Sequence, residues 1–188
     1  MATLEYIDFK PERPEFAPGV VRWVPDKAIR SVVRMPQIMW ESGEPWREAN
    51  QWALEMARRR HVSLSTAVCY MRHLHKYCCW LEQSVPGVDW RHFPQLKSER
   101  VLVRFRGYLV DQRDSGKLNP STATAWMNTV IRFYRFAEEE NLIGRHGTKR
   151  EDLMLLRSMK SGLGVGQQYT LRPTSKDVRH ILCQREGK

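Results

Sequence analysis

Residues 121–143, STATAWMNTVIRFYRFAEEENLI, decide how this chain reads. At 100° per residue, Ala123, Trp126, Met127, Val130, Phe133, Tyr134 and Ala137 share one side, so the spacing predicts a long amphipathic helix. On the other side Ser121, Thr124, Asn128, Arg132 and Arg135 fall within about 80° of one another. That stripe is either a solvated back, with Ser121 or Thr122 serving as caps, or a surface for contact. Short hydroxyl groups at a helix start followed by arginines suit phosphate, because free N–H groups and the positive dipole end favour an anion there. Asparagine can pair with adenine, and arginine with guanine or phosphate. The three glutamates that follow would repel a polyanion and mark the edge of its footprint.

The segments upstream carry the same helical signal. PWREANQWALEMARRR has Pro45 at its start, Glu48 early and three arginines late, which predicts a helix near 46–60. SLSTAVCYMRHLHKYCCWLEQ begins with cap candidates Ser63 and Ser65. Its Ala67, Tyr70, Met71, Leu74, Tyr77, Cys78 and Leu81 share a face, with Arg72, His73 and Lys76 opposite. Trp80 projects toward the polar side and is expected to pack under the N-terminal segment. A third helix is expected from Ser98 to about residue 113, ended by Asp114-Ser115-Gly116, with Val101, Leu102, Phe105, Tyr108 and Leu109 inward.

Residues 1–45 are rich in proline and show no sustained period, which reads as an extended arm docked through Trp23 and Trp40, with room for short strands or turns around GVVRWV. After Asn141 come a turn-rich connection, a short helical run LMLLRSMK, a linker SGLGVGQQYTLRPT and a final helix start, SKDVRHIL. The expected architecture is therefore all-α: a four-helix bundle over 46–144, an N-terminal arm over 1–45, and a linker with the first helix of a further domain over 145–188.

Composition bounds the function. The 188 residues are 41% hydrophobic and 28% charged, as in a globular protein. No apolar run approaches the roughly 18 residues of a membrane span, and the N-terminus lacks the apolar region of a signal peptide, so a cytoplasmic protein is expected. The net charge of +10 is uneven: residues 1–60 sum to +1, 61–139 to +4 and 140–188 to +5. A basic excess in the last two-thirds suits a polyanion such as nucleic acid. Cys69, Cys78, Cys79 and Cys183 form no CxxC pair, which points to free thiols.

Two patterns invite other readings. CYMRHLHKYCC offers five metal ligands, but Cys69 and His73 share one helical face while His75, Cys78 and Cys79 lie well round from it, so no metal site is expected. GLGVG at 162–166 lacks the preceding strand and the following GK[ST] of a phosphate loop and reads as a linker. No cofactor is expected.

The order of these elements resembles the N-terminal, SAM-like core-binding domain of the tyrosine recombinases (phage-integrase family). STATAWMNTVIRFYRFAEEENLI is similar to that family's last long helix through Thr122, Met127, Val130, Phe133, Tyr134, Phe136, Leu142 and Ile143. STAVCYMRHLHKYCCWLE resembles its first core helix through Tyr70, Leu74, Tyr77, Trp80 and Leu81. The chain departs from the pattern at Ile131, where arginine is frequent, and at Trp126, where a polar residue is usual.

The resemblance covers residues 46–143 and implies the DNA-binding part of a site-specific recombinase that integrates or excises a mobile element. It implies double-stranded DNA and further recombinase protomers as partners, no membrane, and a bacterial or phage, nucleoid-associated setting. Its DNA-contact candidates are Ser121, Thr122, Thr124, Asn128, Arg132 and Arg135, with Arg72 and Lys76 on the second helix. LRPTSKDVRHIL resembles the opening of that family's catalytic domain, and no H-x-x-R run followed by a tyrosine is found. The chain therefore reads as a fragment with no catalytic residues of its own. Two alternatives belong to other classes: a helical protein-interaction module with incidental charge, and a DNA-binding regulator unrelated to recombinases.

Overall fold

A computed structural model describes residues 1–143 except 30, 59–61, 85–88, 92 and 95. The linker, the final helix and the catalytic-domain opening expected over 145–188 lie outside the described residues. Strands β1 (Thr3–Phe9), β2 (Glu12–Ala17), β3 (Val20–Pro25) and β4 (Val32–Met39) precede helices α1 (Arg47–Arg58), α2 (Leu64–Ser84), α3 (Val101–Asp114) and α4 (Pro120–Glu139). The fold is thus mixed α/β, which corrects the all-α expectation with its extended arm. Residues 3–39 build two antiparallel two-stranded sheets, β1–β4 and β2–β3.

The prolines that argued against strands fit because each strand of a two-stranded ribbon has a free edge. Ile38 directs its peptide groups away from β1, toward Asn50 and Trp46. Pro36 lies two residues earlier in the same register, so its missing N–H falls on that outer edge. In the β2–β3 hairpin Ala17 pairs with Val20 across Pro18-Gly19, and Gly19 takes a φ of 77°. Proline first and a left-handed glycine second is the requirement of a type II turn.

The β1–β4 sheet is part of the helical core. Asn50 on α1 is buried and clamps the outer edge of β4: Ile38 N–H donates to Asn50 Oδ1 at 2.8 Å, and Asn50 Nδ2 donates to Ile38 C=O at 3.1 Å. The same carbonyl accepts Trp46 N–H at 2.9 Å. A side-chain amide here stands in for the next strand. Val32, Met35, Leu54 and Ala57 pack together where the sheet meets α1.

The helices follow their sequence signals closely. Ser63 caps α2 by accepting Thr66 N–H at 3.1 Å. The expected cap Ser98 instead sits in a short 3-10 turn, Lys97–Glu99, and α3 begins after Arg100 without a side-chain cap. α4 is capped by Asn119, with Pro120 in its first turn, and it ends at Glu139, just before the turn-rich connection expected after Asn141. Asn141 adopts a left-handed φ of 55°, and Leu142 N–H returns to Ala137 C=O at 2.8 Å. That terminating geometry turns Ile143 into the core.

The centre of the core is aromatic. Trp46, Tyr77, Phe105, Phe133 and Tyr134 are fully buried, and Trp90 packs edge-on against Trp46 with centroids 5.6 Å apart. Trp80 does not pack under the N-terminal segment. It is buried against Phe105 and Tyr108 of α3, at 5.0 and 6.1 Å, because α3 covers that side of α2. Tyr134 O–H donates to Trp90 C=O at 2.7 Å, so its single proton is committed, and Tyr77 O–H donates to Tyr134 at 2.7 Å.

Two outcomes are expected. Asn50→Ala leaves the Ile38 N–H buried without an acceptor and should cost about 1–3 kcal/mol, read as a lower urea midpoint at unchanged slope. Burial pushes the phenols of Tyr77 and Tyr134 above their ordinary value. Above pH ~10 the folded state then holds more protons than the unfolded chain, so stability should decline as pH rises through that value. In Tyr77→Phe, urea midpoints should decline less steeply over the same range.

Candidate functional site

The outer side of α4 carries the basic stripe expected from the sequence. That side is narrow because the buried side of α4 is broad: Thr129, Ile131 and Phe136 are buried alongside the expected Met127, Val130, Phe133 and Tyr134. On the outer arc Ser121 and Arg132 are exposed, and Asn128 and Arg135 are half-buried beside them.

The structure gathers three of the candidates. Asn128, Arg132 and Arg135, with Ile131 beneath, line a groove of about 340 Å³. Neither arginine forms an ion pair among the described residues, and Arg132 lays its guanidinium over the Tyr70 ring, 5.6 Å from the centroid. Two arginines without carboxylate partners among the described residues can offer their donors to an external anion.

The candidates nearer the helix start are engaged locally. Ser121 donates through both its N–H and its Oγ to Asn119 Oδ1, at 3.0 and 2.9 Å. Thr124 Oγ1 donates to Pro120 C=O at 2.9 Å. The Asn119 cap therefore takes one of the free N–H groups that an anion would need, although both hydroxyl oxygens can still accept. Thr122 is half-buried and points about 100° away from Ser121.

α2 runs antiparallel to α4 along this surface, with Tyr70 meeting Arg132 and His73 meeting Thr129. Arg72 and Lys76 are exposed on α2, and no contact joins either of them to α4 among the described residues. His73 was expected on the solvent side but is half-buried. Thr129 Oγ1 spends its proton on Ala125 C=O at 3.0 Å, so it accepts from His73, and Nδ1 carries the imidazole proton. His73 Nε2 faces Cys69 Sγ at 3.7 Å. One turn further on, His75 Nε2 lies 3.4 Å from Cys79 Sγ and 2.9 Å from Ala2 C=O.

These His–Cys contacts are two separate pairs on different sides of α2. Among the described residues no group of three metal-ligating side chains comes together, and Cys69, Cys78 and Cys79 are unbridged. Burial pushes the Cys78 thiol far up, which keeps it protonated. No described helix is long and apolar enough to cross a membrane.

Two features escaped the sequence reading. One is the pairing of Tyr70 with Trp52, whose rings stack within 3° of parallel at 5.9 Å beside Arg132. Tyr70 was assigned wholly to the core, and nothing in the α2 pattern alone shows which ring meets α4. The other is the exposed apolar face of the β2–β3 hairpin: β3 falls on the GVVRWV stretch where short strands were allowed, but Trp23, expected to dock, is 65% exposed beside Phe16 at 79%. They share one face with Val21, and the alternation along GVVRWV was the available signal.

Comparison with family models, curated proteins and solved structures finds no match.

Burial lowers the His73 pKa below its ordinary value of 6.5. The unfolded chain then takes up the proton first as pH falls, so the His73 contribution to stability is lost from about pH 6.5 downward. Imidazole proton shifts should show its midpoint below that of a fully exposed histidine in the same spectrum.

Proposed function

We propose that this chain is the DNA-binding portion of a site-specific tyrosine recombinase, acting in integration or excision of a mobile element. The observation that carries the DNA-binding part is the α4 groove, where Asn128 lies one turn before two arginines that have no ion-pair partner among the described residues. Arg72 and Lys76 add exposed positive charge on α2. The recombinase part rests on the resemblance of residues 46–143. The strands of residues 3–39 form no part of that resemblance.

In this reading Arg132 and Arg135 hold phosphates on either side of a base edge that Asn128 reads. Ser121 and Thr124 accept or donate at the margin, and Glu139 and Glu140 limit the footprint. The chain binds double-stranded DNA without cutting it, since no His-x-x-Arg and tyrosine set is found in its sequence. Strand exchange belongs to the parent protein and to its assembly with other protomers.

One observation favours a second reading. The exposed Phe16, Val21 and Trp23 form an apolar face with no cover among the described residues, as a protein-interaction module would present. Salt dependence separates the two readings, because only phosphate contact releases counterions.

Fluorescence anisotropy with a labelled duplex should show affinity falling steeply between low and moderate salt. Each neutralised phosphate contributes roughly −0.9 to the log–log slope, so Arg132→Ala with Arg135→Ala should make it shallower by about 1.8. Adding Asn128→Ala should weaken binding further while circular dichroism stays unchanged. Absence of binding to any duplex at low salt would sink the reading.

A further inference from the structure

Arg132 and Arg135 border more than the α4 groove. They also line a cavity of about 440 Å³ between α1, the start of α2 and α4. Its volume falls in the roughly 300–1,000 Å³ range of small-molecule sites. Trp52, Met56 and Phe136 supply apolar lining, Tyr70 supplies a half-buried ring, and Glu55 and Glu139 complete the polar part.

We propose that this cavity receives a single unpaired nucleotide, with its base against Tyr70 and its phosphate held by Arg132 and Arg135. The proposal rests on the DNA-binding reading and adds to it a nucleotide form that a paired duplex does not offer. Three observations converge on it.

The first is the aromatic support. Tyr70 is backed by Trp52 in a parallel stack, which holds the ring still for a third planar group. The guanidinium of Arg132 now lies over that ring. An exposed cation–π contact is weaker than base–aromatic stacking, so a base can displace it and free Arg132 for the phosphate.

The second is the unpaired charge. A phosphate between Arg132 and Arg135 would meet guanidinium groups that no described carboxylate engages. The third is the Glu139 carboxylate at the rim. When ionised it only accepts hydrogen bonds, and guanine and cytosine present amino donors to such a group. The same carboxylate would repel a second phosphate, which limits the cavity to one nucleotide rather than a continuing strand. A base inside a duplex has both faces covered, so the nucleotide must be unpaired or turned out of the stack.

The chemistry is common to an unpaired nucleotide in a DNA strand and to a free mononucleotide, and two arms of one experiment separate them. Anisotropy would compare a fully paired duplex, the same duplex with one bulged guanosine, and one with an abasic bulge. Calorimetry would titrate the protein with dGMP and with deoxyribose 5-phosphate.

The bulged guanosine is expected to bind about tenfold tighter than either other duplex. Tyr70→Leu should remove that advantage and leave the paired duplex unchanged, and Tyr70→Phe, which keeps the ring, should retain it. Saturable heat from dGMP that Tyr70→Leu abolishes, without a bulge advantage, would support the site and assign it to a free nucleotide. Equal affinity for all three duplexes together with no heat from dGMP would overturn the proposal and leave duplex binding standing. If no duplex binds, the DNA-binding reading falls, and the calorimetric arm still decides the cavity.

Discussion

The hydrogen-bond relay from Tyr77 through Tyr134 to the Trp90 carbonyl is the constraint on which the helical body depends. It joins α2, α4 and the segment before α3 inside a core of aromatic rings. An unsatisfied hydroxyl there would lose its full hydration, at about 1–3 kcal/mol, so the two phenols must meet each other and the carbonyl in one geometry. Tyr134 has one proton, which goes to Trp90. That leaves Tyr77 as its donor and sets the direction of the chain. Apolar packing alone would tolerate α4 rotated or shifted along α2. A directional relay between fully buried groups does not.

With α4 held in that rotation, its outer arc is determined too. Phe133 and Tyr134 face inward, so Arg132 and Arg135 must face outward on either side of them. His73 reaches Thr129 across the seam, and Tyr70 comes level with Arg132. The basic groove and the aromatic cavity are therefore two sides of one pair of arginines. Polar features on an otherwise well-packed helix pair converge there.

The N-terminal strands are held by a different device. Asn50 completes the hydrogen bonding of β4 from a helix, which lets a two-stranded sheet close against the bundle without a third strand. The second ribbon has no such anchor. Its Phe16 and Trp23 stay in solvent, and the apolar face that would ordinarily pack on a helix has nothing beneath it among the described residues. One buried amide thus separates a sheet that belongs to the core from one that projects.

The helices were legible because their signals are local. Pro45 with Glu48, Ser63 at the cap of α2, and the period of Ala123 to Ala137 each act within a turn or two of themselves. The basic stripe was legible for the same reason, since residues seven apart on a helix share a face whatever packs behind them. The strands were not, because proline density argues against central strands and says nothing about ribbons with free edges. Which groups would meet across the fold was beyond any local pattern. Tyr70 under Arg132, Trp80 against α3 rather than beneath the N-terminal segment, and Asn50 on Ile38 join residues from 12 to 62 positions apart. By itself the sequence determined the helices, their inward faces and the surface that carries positive charge, because these follow from backbone periodicity and capping. Only the tertiary structure decided that the first 39 residues are sheet, and that two arginines share a groove and a cavity. Those outcomes depend on distant hydrogen bonds and ring contacts that exist only once the chain has closed on itself.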